Sequence, residues 1–269
     1  MEILEWDNFL EIPQARQSSA QEQRPSAMTI GVFDGVHRGH AELIRRIAAR
    51  GPCPTVITFR ENPKKILDPL SYRGDIFSLE QKLETFETLG AERTVLIDFS
   101  ENFSKLRAED FIGLLEAKLN LTFLAIGNNF RCGFKHSTDA AGIKRMNEAR
   151  GIETEIVPPV LEASQPVSSS RIRAAVMAGD LALAAALLGR NFELDLRGMA
   201  RTKAGFQGES GWVYDASSLH RVIPAEGRYK AEAKGVETFV DILKEKGKVF
   251  IPGPDADSIE IIVFPIGVI

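Results

Sequence analysis

Cysteine is scarce: the chain has only Cys53 and Cys132 among 269 residues. They form no CxxC pair and no zinc-type spacing with histidine, which argues against a disulfide framework or a structural zinc site. Long apolar runs are absent as well. The longest, Leu181–Leu188, has eight residues, where a membrane-spanning helix needs about 18 or more. A surplus of positive charge is also missing. With 33 Lys and Arg against 37 Asp and Glu, the net charge is −4, so no overall field advertises a nucleic-acid partner. A phosphate ligand needs only a local site and stays open. Glu2 and Glu5 precede any apolar stretch, which is wrong for a secretory signal, and a reducing cytoplasm fits the whole pattern.

What is present is an ordinary globular composition, 44% hydrophobic and 26% charged, enough to bury a sizeable core. At about 150 residues per domain the length suggests two domains. From residue 28 to about 159 short apolar runs alternate with amphipathic stretches. Strands are expected at 28–33, 55–59, 94–98, 123–127 and 152–157. Helices are expected at 41–50, 108–119 and 142–150, and from a Ser78/Gln81 capping box to about 89. Strands spaced by helices of this length need crossover connections, hence a Rossmann-like parallel sheet. Two short helices follow, at 169–178 and 181–188. After Gly189 the pattern becomes short strands at 211–214, 221–223, 228–234, 237–243, 248–251 and 259–264. The expected organisation is an α/β domain over residues 1–188 and a small all-β, barrel-like domain over 189–269.

The segment Gly31-Val-Phe-Asp-Gly-Val-His-Arg-Gly-His40 joins the first strand of this pattern to its first helix. Ligands of parallel sheets bind at the carboxyl ends of strands. Gly31 and Gly35 permit close backbone approach, and a helix beginning near His40 offers unpaired N–H groups and a positive dipole end to phosphate. His37 and His40 lie three apart around Gly39, so both imidazoles can donate to phosphate oxygens. With 4 His and 22 Gly in the chain, an H-x-G-H string is expected by chance only about 0.005 times on composition alone. A chemical role is therefore favoured over a capping histidine at an ordinary turn. That role is stabilising charge on a phosphorus under attack.

The string GVFDGVHRGH resembles the nucleotide-binding motif of the HxGH nucleotidylyltransferases, above all the adenylyltransferase half of bacterial bifunctional riboflavin kinase/FAD synthetases. Gly127-Asn-Asn-Phe-Arg-Cys-Gly133 is similar to that family's G-x-(N/D)-F-x-F-G, and Val167-Ser-Ser-Ser-Arg-Ile-Arg173 to its V-S-S-T-x-I-R. Leu187-Leu-Gly-Arg-Asn-Phe192 resembles its L-L-G-R-x-Y junction, so the likeness covers about residues 28–192. The resemblance implies an FMN adenylyltransferase that makes FAD and pyrophosphate from FMN and ATP. Its catalytic residues would be His37, His40 and Asn129. Gly31, Phe33, Asp34, Gly39, Ser168, Ser169, Ser170 and Arg173 would bind ATP, and Asn62, Asn129, Phe130 and Arg131 would bind FMN. Mg²⁺ is the expected cofactor, held mainly by substrate phosphates, with no protein ligand assigned. The expected partners are these small molecules, without nucleic acid or membrane, for a monomer or weak homo-oligomer.

Two departures stand out. Thr58-Phe-Arg-Glu-Asn-Pro63 keeps only the frame of the family's T-F-D-P-H-P, with Arg60 for aspartate and Asn62 for histidine. Asn62 can hydrogen-bond but cannot change charge near neutral pH, which touches rate or affinity more than reaction type. In the last 80 residues, Pro224-Ala-Glu-Gly-Arg-Tyr229 looks like the family's P-x-x-G-x-Y strand entry, and glycines recur from Gly198 to Gly211. Yet no Pro-Thr dipeptide follows Gly189 and no asparagine follows Asn191, and the chain ends at Ile269. The family's P-T-A-N motif is missing, so the kinase module is read as truncated and inactive. Two alternatives stay open: an HxGH transferase for another phosphorylated acceptor, and a non-catalytic flavin or nucleotide sensor.

Overall fold

The computed structural model describes residues 1–13, 24–216, 220–243, 247–253 and 259–265. The chain packs as two compact units. Met1–Leu70 and Lys82–Val160 form the first, Ser71–Gln81 and Leu161–Ile269 the second. The sequence divides by element class at 188/189, whereas compactness divides the chain elsewhere. It gives the second unit the two helices that follow residue 160 and a short segment from far upstream.

In chain order the first unit carries β1 (Glu2–Glu5), α1 (Trp6–Glu11), β2 (Ser26–Ile30), α2 (Arg38–Ala48), β3 (Pro54–Phe59), α3 (Lys64–Leu67) and most of α4 (Leu79–Thr88). There follow β4 (Arg93–Ile97), α5 (Glu101–Ser104), α6 (Ala108–Leu119), β5 (Leu121–Gly127), β6 (Arg131–Cys132), β7 (Thr138–Asp139), α7 (Ala140–Glu148) and β8 (Glu153–Val157). The six-stranded sheet has the order β1-β4-β3-β2-β5-β8, parallel throughout. All five residues of β2 are buried, as expected for a central strand covered on both faces. Against one face pack Phe111, Ile112 and Leu115 of α6, with Trp6 and Phe9 of α1. On α2, Ala41, Leu43, Ile44 and Ile47 are buried, the 3.6-residue stripe that predicts this helix. The strand β1 is an addition to the expected set, since its exposed Glu2 and Ile3 give no apolar run to read.

Topology fixes where a ligand can sit. From β2 the chain adds β3 and then β4 on one side, and then returns to place β5 on the other. That reversal opens a crevice beyond the carboxyl ends of β2 and β5, where doubly wound sheets hold ligands.

The second unit carries β9 (Leu161–Glu162), β10 (Gln165–Pro166), α8 (Ser169–Met177), α9 (Leu181–Leu188), β11 (Phe192–Asp195), β12 (Arg201–Phe206), β13 (Glu209–Asp215), β14 (Gly227–Ala233), β15 (Val236–Leu243), β16 (Lys248–Pro252) and β17 (Ile261–Phe264). Seven of these strands form one antiparallel sheet, β11-β17-β14-β15-β16-β13-β12. The glycine-bearing stretch 198–211 runs into a hairpin. Residues 201–215 form the β12–β13 hairpin, pairing Phe206 with Glu209 across a two-residue turn at Gln207 and Gly208. Residues 221–223, expected as a strand, contribute only an isolated bridge between Arg221 and Asp75.

Candidate active site

The strand β2 ends three residues earlier than its apolar run suggests, because Phe33 takes a left-handed backbone (φ 54). Val36 does the same (φ 34). Such conformations cost about 1–3 kcal/mol each and persist where the surroundings enforce them. Enforcement comes from Gly31 N–H donating to Ile57 O at 3.1 Å, Val36 N–H to Phe33 O at 3.1 Å, and Thr58 Oγ1 to Val32 O at 3.1 Å. The helix α2 then starts at Arg38 rather than near residue 41, and its N-cap is His37 itself. The His37 Nδ1 accepts from His40 N–H at 3.3 Å. An imidazole is not one of the common capping side chains, yet here the capping role set aside in favour of chemistry is present at His37. With Nδ1 accepting, the neutral His37 ring carries its proton on Nε2.

The two rings lie stacked, centroids 3.5 Å apart and 16° from parallel. His37 is 6% exposed. The fully buried Phe33 meets His40 edge-on at 5.1 Å and Phe86 at 5.6 Å. Phe33 thus supports His40 from the core. Gly39 leaves room for the cap, since a Cβ there would lie 3.3 Å from His37 Cε1 and Nδ1. Gly31 is confined in the same way, a Cβ there falling 3.1 Å from Cζ of the Phe33 ring. Asp34 is buried within the loop.

On the other side of the crevice, the turn after β5 exposes Asn129 and Arg131, while Phe130 packs against the core. The turn is closed by Phe130 N–H donating to Gly127 O at 3.0 Å. Burial pushes the Cys132 thiol up to about 12, so it is neutral at physiological pH and unsuited to attack or metal binding. Gly133 has φ 81, and a Cβ on it would lie 2.8 Å from Ala108 N. Gly133→Ala is therefore expected to destabilise the protein by about 2 kcal/mol or more, read as a lower urea midpoint at unchanged slope. An unaltered midpoint would show that the turn is not held by this approach.

Within the second unit, Ser168 caps α8 by accepting from Arg171 N–H at 3.4 Å. Ser169 and Ser170 begin the helix, with the positive end of its dipole. The two arginines separate in role. Arg171 donates to Gln165 O at 2.9 Å and Pro166 O at 2.8 Å in the β9–β10 hairpin, whereas Arg173 Nε donates to Gly74 O at 2.7 Å.

A family model described as FAD synthetase matches residues 19–171. The chain belongs to the FAD synthetase family. It is similar to the bifunctional riboflavin kinase/FMN adenylyltransferase of Buchnera aphidicola subsp. Acyrthosiphon pisum, 30% identical over 67% of this chain and 59% of that protein. It thus spans less than two thirds of that relative's length. The Bacillus subtilis protein of the same description is 30% identical over 91% of this chain and 79% of its own length. Among solved structures, a macrolide-efflux protein from Streptococcus pneumoniae matches with a TM-score of 0.75 at 24% identity, over 98% of this chain and 89% of that one. That likeness concerns the fold alone.

As a member of the FAD synthetase family, the chain accommodates its unusual Arg60-Glu61-Asn62 locally. Arg60 pairs with Glu5 at the end of β1 and with Asp98 beyond β4, the latter at 3.3 Å. Its hydrogen bond to Glu5 raises the guanidinium further above its ordinary value, so its charge is answered by two carboxylates. Asn62 is buried rather than on an exposed loop, and its Oδ1 accepts from Lys64 N–H at 3.2 Å at the start of α3. One residue escaped sequence reading. Buried Lys82 donates to Phe59 O at 2.6 Å and Thr58 Oγ1 at 3.4 Å, extending the tether from Thr58 to Val32. Its signal was a lysine four residues before Phe86, on the face that α4 buries. Among the described residues, no helix is long and apolar enough to cross a membrane.

Proposed function

We propose that the chain is an FMN adenylyltransferase, forming FAD and pyrophosphate from FMN and ATP in the cytoplasm. The observation that carries this reading is the stacked His37–His40 pair at the start of α2, beside the strand-order reversal. Membership of the FAD synthetase family supplies the substrate class. A phosphate oxygen of FMN attacks the α-phosphorus of ATP in line. The new P–O bond forms as the bond to the bridging β-phosphate oxygen breaks, and pyrophosphate leaves with that electron pair. No covalent enzyme intermediate is proposed, since the site offers no obvious nucleophile.

The chain's part is positioning and charge stabilisation, the main sources of rate in phosphoryl transfer. His37 Nε2–H and the His40 ring donate to oxygens that gain charge as pyrophosphate departs. Phe33 is a positioning residue for His40. Gly31, Asp34 and Gly39 shape the nucleotide side of the loop. Ser168, Ser169, Ser170 and Arg173 hold the β- and γ-phosphates. Exposed Asn129 orients the FMN phosphate and Arg131 offsets its charge, with Phe130 anchoring both and Asn62 shaping the flavin side. The Asp34 carboxylate and Asn129 amide, on loops after adjacent strands, suit a hard ion such as Mg²⁺. Asn129 would hold that ion, with substrate oxygens and water filling most of its shell. When bound it supplies charge neutralisation on the phosphates.

Riboflavin phosphorylation is outside the proposed activity, because the P-T-A-N residues are missing and the glycines of 198–211 belong to a hairpin and its approach. Incubating the purified protein with Mg-ATP and either FMN or riboflavin tests both statements. FMN should give FAD with equimolar pyrophosphate, and riboflavin should be returned unchanged. Adenylylation of phosphopantetheine or nicotinamide mononucleotide with FMN untouched would overturn the acceptor. Production of FMN from riboflavin would overturn the missing kinase.

A further inference from the structure

Residues Ser71–Gln81 lie in sequence between α3 and the body of α4, yet they belong to the second unit. They are bound there by backbone and side chain together. Asp75 N–H donates to His220 O at 2.8 Å and Val222 N–H to Asp75 O at 3.0 Å. Arg221 donates to Phe77 O at 3.1 Å, and the Arg190 guanidinium lies over the Phe77 ring at 4.4 Å. Ser78 Oγ donates to Asp195 Oδ2 at 2.5 Å. Asp195 is buried, and its carboxyl lies below the ordinary range because hydrogen bonds from Arg197 and Ser78 outweigh the effect of burial. At the head of this segment Gly74 has φ 95. A Cβ there would fall 2.8 Å from Arg221 C, 2.8 Å from His220 O and 2.9 Å from Val222 N. Only glycine fits, and the backbone is held close on one side.

The other side of Gly74 is the telling one. Its carbonyl accepts from Arg173 Nε at 2.7 Å. A guanidinium is planar, so fixing Nε fixes the plane and heading of the terminal nitrogens. The neighbouring Arg171 donates instead to the β9–β10 carbonyls.

We propose that Gly74, gripped by the 220–222 segment of the β module, is a positioning residue that aims Arg173 at the triphosphate of ATP. The β module of the second unit thereby serves nucleotide binding without any kinase chemistry of its own. The proposal rests on the reading of Arg173 as a triphosphate ligand. It adds the device that orients that ligand and a task for residues that otherwise have none.

The test measures Mg-ATP and FMN dissociation constants by titration calorimetry on the full chain. The variants are Gly74→Ala, Arg221→Met, Arg173→Ala and the double variants with Arg173→Ala. Loss of an oriented hydrogen bond to a charged group corresponds to about tenfold weaker ATP binding in Gly74→Ala, and about threefold in Arg221→Met, where no backbone clash arises. FMN binding should stay within about twofold, a split that general destabilisation would not produce. In the Arg173→Ala background neither change should weaken ATP further. Should Gly74→Ala fail to fold, Arg221→Met carries the same comparison. Normal ATP affinity in Gly74→Ala or Arg221→Met, or full additivity with Arg173→Ala, overturns the proposal. Unchanged ATP affinity in Arg173→Ala alone overturns instead the assignment of Arg173 on which it stands.

Discussion

His40→Ala is expected to lower the rate of FAD formation by at least about 10²–10³, the usual loss when one preorganised donor is removed from developing charge. The loss should fall on kcat, with ATP affinity changing far less, because the donor matters most when charge has gathered on the departing oxygens. Stability should survive. His40 sits in the first turn of α2 with its ring against His37 and Phe33, and alanine is the best helix former for the vacated position. The experiment pairs steady-state rates with a thermal melt. Wild-type turnover in a well-folded His40→Ala protein would remove this ring from the mechanism. Equal losses in turnover and melting temperature would assign it a packing role instead.

The second large effect separates two jobs that His37 performs at once. Its Nδ1 caps α2 by accepting from His40 N–H, and the mechanism proposed above gives its Nε2–H a second task. His37→Ala removes both, costing about 1 kcal/mol through the lost cap and about 10²–10³ in rate. Asparagine is among the best capping residues, with a side-chain oxygen able to accept the same N–H. His37→Asn should therefore restore stability close to that of the unmodified chain while activity stays as low as in His37→Ala. Denaturant unfolding and pyrophosphate release, measured on both variants, give the two answers separately. Recovery of activity along with the cap would mean that His37 only shapes the helix start.

Most of the parallel sheet was legible because its signals are local. The apolar runs of β3, β4, β5 and β8, and the Ser78/Gln81 capping box, need only neighbouring residues to be seen. The box is present as read, with Gln81 N–H donating to Ser78 Oγ at 3.0 Å and Ser78 N–H to Gln81 Oε1 at 3.1 Å. The histidine pair was legible for the same reason, lying within one short string at a strand-to-helix turn. What escaped depends on distant partners. The pairing of Asp75 with Arg221 spans most of the chain, and nothing in 71–81 announces it. Lys82 reads as a solvated charge until Phe59 O is known to lie beside it. Phe33 reads as the end of a strand, because its left-handed backbone is imposed by the bonds that its neighbours Gly31 and Val32 make to Ile57 and Thr58 rather than by its own preference.

The upstream residues stitched into the later sheet domain make the two halves inseparable by a single cut in the gene. A shortened product stopping at Val160 would keep Asp75, Phe77 and Ser78 but lose their partners His220, Val222, Arg221, Arg190 and Asp195. Inheritance of the parallel-sheet unit by itself, as a shuffled cassette, would demand redesign of that stretch. The two halves are in this sense obliged to evolve together.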